Sequence, residues 1–229
     1  MLNTKLNSKE LGRARGSVRN RVILFEDPAW EERFDSLIRL TQRTLLIIEL
    51  TGTDIRPGRL KEHIDRRLAE CGVTPARPRG VGRSYQSTLF LPSKYERFDA
   101  AYLLALHFGP RGPGEFSETE PSLGRALDKL MESYHRYVAD LYPGGAQPRI
   151  IFETYWVLVC GIRAGAIEMV ACKECGAKHP VHADHITQPS CPVCAVLDLK
   201  MKDARSTLQR RVEERRALRQ NGTSSRMHA

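Results

Sequence analysis

Two C-x2-C pairs constrain this chain more than any other feature. Cys172 and Cys175 are followed by Cys191 and Cys194 in the segment ACKECGAKHPVHADHITQPSCPVCA. Each pair can bring two sulfurs onto one tetrahedral ion, and the stretch between them can fold back to deliver the second pair. This is the spacing of a four-thiolate zinc site. Gly176 follows the first pair, where the backbone has to turn sharply. The competing readings are free thiols or a disulfide pair. Four cysteine ligands leave no coordination position for water, so a single zinc ion held this way is structural rather than catalytic. His179, His182 and His185 lie between the pairs and could replace a sulfur. The simpler expectation for them is a solvated hairpin rich in histidine.

At 229 residues, with 41% hydrophobic side chains, the chain can bury one good core and carry a small metal-stapled appendage. Its longest aliphatic run, Leu45-Leu46-Ile47-Ile48, is far too short to span a bilayer. The N-terminus is basic but has no apolar stretch of the secretory kind. Cys71 and Cys160 stand alone and read as reduced, buried small hydrophobes. These features lead us to expect a cytoplasmic protein with no membrane partner.

Charge points to a partner class. The formal net charge is +9. Residues 1–21 hold six basic side chains against one acidic, and residues 200–229 hold nine against three. Within the otherwise acidic middle, residues 56–83 hold eight basic and three acidic side chains. Basic ends and a basic patch suit a polyanion, most simply nucleic acid. The alternative is that terminal charge only solubilises the two ends.

The fold class expected is mostly α: a helical domain with a small C-terminal zinc-ribbon-like module of four cysteines. A flexible basic arm (1–25) precedes the helical domain (26–165). The zinc module (166–199) and a basic C-terminal helix or tail (200–229) follow it. One helix is expected over 31–50, with Phe34, Leu37, Ile38, Thr41, Leu45 and Ile48 on its apolar stripe. Thr51-Gly52-Thr53 breaks it, and Pro57 opens a second, basic helix over 57–70, with Leu60, Ile64 and Leu68 on one side. An apolar helix, a short glycine-containing turn and a basic amphipathic helix follow helix-turn-helix order. Further helices are expected over 93–107, from a cap at Ser122 to Leu141, and over 148–163. A short strand over 167–171 should enter the first cysteine pair. The candidate DNA contacts are Arg56, Arg59, Arg66 and Arg67 on the second helix, and Arg77, Arg79 and Arg83 in the loop after it. No phosphate-binding GxxxxGK[ST], GxGxxG, GxSxG or evident nucleophile–base set occurs, so no enzymatic chemistry is expected.

Three segments resemble the FlhC family of flagellar transcriptional activators. TYWVLVCGIRAGAIEMVACKEC is similar to that family's aromatic helix, glycine-containing turn and first cysteine pair, with Trp156 matching a family tryptophan. ALDKLMESYHRYVADLYP resembles the preceding family helix. LIRLTQRTLLIIELTGTDIRPGRLKEHIDRRL, including Gly58-Arg59-Leu60, resembles the N-terminal region more loosely. The resemblance covers roughly residues 36–200. It departs from the family in FLPSKYERFDAAYLLALHF, where Phe90, Tyr95 and Phe98 stand near positions that usually carry tryptophan. The resemblance implies binding of flagellar promoter DNA in a hetero-oligomer with the small helical partner FlhD. It further implies activation with the RNA polymerase holoenzyme and zinc held by the four cysteines. The departures suit a divergent paralogue. The alternative function is a zinc-stabilised protein–protein adaptor that touches no nucleic acid.

Overall fold

Proline, glycine and short polar side chains divide the chain into helices, and a small hairpin follows the last long one. The structure, a computed structural model, describes residues 24–75, 84–85, 90–109, 123–184, 190–198, 210 and 213. Nearly all of the expected basic arm and tail, Ser122, His185, Arg77, Arg79 and Arg83 lie outside the described residues. The chain divides into two compact units, Met1–Arg77 and Pro78–Ala229, each described here by itself. That division falls inside the stretch 26–165 expected as one helical domain.

In the first unit, α1 (Pro28–Leu40), α2 (Thr44–Thr51) and α3 (Pro57–Glu70) follow one another. Asp27 caps α1, its carboxylate accepting the amide of Ala29, and Pro28 occupies the first turn, where its missing N–H costs nothing. The single helix expected over 31–50 is two helices. Thr41 is extended (φ −147°, ψ 142°), and its hydroxyl accepts the amide of Arg43 at 3.3 Å. A side chain that satisfies the local backbone in this way competes with helical hydrogen bonding. The break turns the apolar run: Leu46, Ile47 and Leu50 are buried, whereas Leu45, expected on the inward stripe, is 73% exposed. Gly52 ends α2 in the left-handed region (φ 64°), which favours glycine. Thr51 donates its hydroxyl to the Ile47 carbonyl at 2.7 Å, and Thr53 accepts the amide of Ile55 at 3.3 Å. α3 packs against both α1 and α2. It does so through the buried Leu60, Ile64 and Leu68, one per turn, each worth about 2 kcal/mol of burial. Arg33 lies over the ring of Trp30.

The second unit is built on α4 (Lys94–Phe108), α5 (Leu123–Leu141) and α6 (Phe152–Arg163). Its hairpin pairs β1 (Ile167–Ala171) with β2 (Lys178–His182), antiparallel, with Ile167 opposite His182 and Ala171 opposite Lys178. Ser93 and Glu96 form a reciprocal capping box that starts α4. α4 packs against α5, α6 and β2, and α6 packs against β1. Phe152, Tyr134 and Tyr155 form an aromatic cluster with edge-on and stacked contacts.

Asp99 and His107 are among the polar groups built into this core. Asp99 is 2% exposed and accepts the hydroxyls of Tyr137 and Tyr142 and Arg149 Nη1. Tyr137 in turn accepts the Ile150 amide at 3.2 Å, so the network ties α4 to α5 and to the approach to α6. His107 Nδ1 and Tyr155 Oη share a 2.7 Å hydrogen bond. Gly161 allows α6 to approach β1: a Cβ there would stand 2.6 Å from Ile167 Cδ1 and 3.0 Å from Tyr85 Cβ. Arg163 lies over the ring of Trp156. Tyr95 is 42% exposed and carries the Lys94 and Arg149 side chains on its ring.

Candidate metal centre and nucleic-acid surface

The hairpin carries the first cysteine pair at its tip. Cys172 directly follows β1, and its amide donates to the Ala177 carbonyl at 3.0 Å. Gly176 (φ 71°) reverses the chain, its amide donating to the Cys172 carbonyl at 2.9 Å. The second pair opens the helical residues 192–198, with the Ala195 amide donating to the Cys191 carbonyl at 3.1 Å. Two different local structures thus point their sulfurs at one centre.

The geometry suits a tetrahedral dication. Four sulfurs each about 2.3 Å from one zinc ion stand about 3.8 Å apart. Here Cys172 and Cys194 Sγ are 3.8 Å apart, Cys175 and Cys191 Sγ are 3.7 Å apart, and all four atoms lie within 4.8 Å of one another. Electrostatics fit as well. The amides of Cys175 and Glu174 point at Cys172 and draw its thiol down to about 7. Hydrogen bonding with the Cys175 side chain, then burial, push Cys194 up, so the crowded sulfurs hold on to protons. A divalent ion takes the place of those protons, neutralising charge at the point where the four sulfurs meet. The exposed Lys173 and Lys178 add positive charge beside it.

Among the described residues, the cluster that can hold a metal is made of cysteine alone. His179 and His182 stand on β2, outside it. The hairpin is not the solvated one expected: His179 is 4% exposed, and burial lowers its pKa below the ordinary histidine value. It is buried together with Pro180 and Val181 in the middle of β2, in a segment too short for sequence periodicity to reveal. Of the two solitary cysteines, Cys71 is exposed rather than buried, with Arg39 Nη2 4.0 Å from its sulfur; Cys160 is half-buried.

The candidate DNA-contacting arginines separate into groups. Arg56, Arg59 and Arg66 are exposed at the start and along the outer side of α3. Arg66 Nη2 donates to His63 Nδ1 at 2.7 Å, and Phe25 stacks on the His63 ring. Burial, then Arg66 and Arg59, lower the His63 pKa, which keeps it neutral as an acceptor. Arg67 differs. Its guanidinium binds Glu31 and reaches Asp35 at 3.7 Å, so it is drawn onto α1. Glu31 and Asp35, one turn apart on α1, were not singled out from sequence. Their only sequence signal is an acidic pair at helical spacing.

The chain thus combines mostly helical units with a four-thiol centre suited to metal. No family model matches it. It is similar to the flagellar transcriptional regulator FlhC of Thauera aminoaromatica, at 31% identity over 77 residues. The match covers 33% of this chain and 40% of that protein, so less than half of the relative's length is represented. Among the described residues, no helix is long and apolar enough to cross a membrane.

Proposed function

We propose that this protein is a DNA-binding transcriptional activator of flagellar genes, acting in the cytoplasm in a hetero-oligomer with FlhD. The similarity to a flagellar transcriptional regulator carries this reading. The four-thiol cluster and the net charge of +9 support it. In this reading one zinc ion, held by Cys172, Cys175, Cys191 and Cys194, fixes the module over 166–199 without reacting. The basic ends, 1–25 and 200–229, add electrostatic attraction to the helical body over 26–165. Arg56, Arg59 and Arg66 contact DNA, joined by Arg77, Arg79 and Arg83. RNA polymerase holoenzyme is the downstream partner. No catalytic role is assigned.

The test is binding of the purified protein to flagellar-promoter duplexes, with and without co-expressed FlhD, across a salt series and against a scrambled duplex. Preference for the promoter that appears only with FlhD supports the reading and makes the partner obligatory. Equal binding to both duplexes, with or without FlhD, overturns it and favours a zinc-stabilised adaptor or a paralogue with other targets.

A further inference from the structure

We infer that α3 is the element that reads duplex DNA, and that Arg67 is a positioning residue that holds it at the reading angle rather than a DNA contact. The inference rests on the DNA-binding reading and specifies the surface that performs it. α3 has two opposed sides. Leu60, Ile64 and Leu68 are buried against the neighbouring helices, while Arg59, Glu62 and Arg66 are exposed on the other side, at helical spacing. Arg59 and Arg66 are seven residues apart, or about 10 Å along a helix axis, close to the rise of three base pairs. A helix of this width fits the major groove, where an arginine pairs with the two acceptors of guanine. Arg56, at the helix start, is exposed beside them and is placed for the phosphate backbone.

A reading helix needs a fixed orientation, because contacts at base edges fail when the element rolls. Two devices supply it. The turn before α3 is short and held by Gly52, Thr51 and Thr53. On the other flank, the Arg67 guanidinium meets two carboxylates of α1, Glu31 and Asp35. A planar fork between two acceptors resists rotation better than a single point charge. His63 plays a related part on the outer side, where it accepts from Arg66 while Phe25 covers its ring.

The experiment uses the full chain, with FlhD where wild type requires it, and titrates promoter and scrambled duplexes. Arg59→Ala and Arg66→Ala should each weaken promoter binding by about tenfold to a hundredfold and reduce the preference over scrambled DNA, with melting temperature unchanged. Arg67→Glu should also weaken promoter binding. Adding Glu31→Arg swaps the pair, keeps net charge constant and should restore both affinity and preference. Wild-type promoter affinity in both alanine variants, with wild type itself specific, overturns α3 as the reader and leaves DNA binding intact. A charge-swapped protein that stays folded but binds as weakly as Arg67→Glu overturns the positioning role. Absence of promoter preference in wild type removes this inference together with the reading beneath it.

Discussion

His107 shows how a single buried side chain sets acid sensitivity. Burial, then Lys129 and Arg163, lower its pKa from the ordinary 6.5 to about 4. As pH falls, the unfolded chain takes up the proton first. Stability from this group is therefore complete above about pH 6.5, is lost between there and about pH 4, and is flat below. The loss approaches about 3 kcal/mol. His107→Gln should remove that slope. The check is the difference between variant and wild-type urea midpoints at pH 7 and pH 4.5, since acid release of a metal affects both alike. Gly161 is a second case. A methyl group there would collide with Ile167, which is itself buried, and with the base of Tyr85. Gly161→Ala should cost about 1–3 kcal/mol, read as a lower melting temperature; an unchanged value would mean that β1 shifts freely. Neither position announces itself in the sequence, because both depend on what a distant residue brings beside them.

At the scale of elements, legibility followed local chemistry. The cysteine spacing predicted a tetrahedral cluster, and the sulfurs meet at the distances such a cluster needs. Pro57 and the Leu60, Ile64, Leu68 period marked α3 at the bounds it has, Pro57–Glu70. The expected 31–50 helix failed because apolar residues recur in the sequence at helical spacing across Thr41, whose hydroxyl accepts the Arg43 amide where the helix breaks and the buried face changes. β2 was missed as a strand because Lys-His-Pro-Val-His carries polar residues on both sides, yet pairing with β1 buries its middle. The metal module yields its own prediction. Removing one of four thiolates leaves an incomplete shell, and folding of such modules is coupled to the ion. Cys175→Ser should lower bound zinc well below one ion per chain and lower the melting temperature. Metal analysis and a thermal scan measure both, and full retention of each would sink the four-thiolate reading.

For the whole molecule, charge placement decides how binding should depend on conditions. If the exposed arginines and basic ends meet phosphates, affinity for promoter DNA should fall steeply and log-linearly with salt, losing about a thousandfold or more between 50 and 200 mM for six or more phosphate contacts. A shallow slope in filter-binding or anisotropy titrations would point instead to a protein partner. The sequence made this charge distribution plain but could not tell which arginines serve the fold, because Arg66 and Arg67 are neighbours in the chain, and only the packing of α3 turns Arg67 onto Glu31 and Asp35 of α1 while Arg66 stays on the outer side beside His63. The aromatic inventory adds a practical consequence. The chain has two tryptophans, Trp30 in the first compact unit and Trp156 in the second, each beneath an arginine. Each unit therefore carries its own intrinsic fluorophore. Excited at wavelengths that tyrosine does not absorb, a Trp30→Phe protein emits from the unit with the four-thiol cluster and a Trp156→Phe protein from the α3 unit. Chelation, denaturation and DNA binding can then be watched one half of the molecule at a time, without attaching a dye.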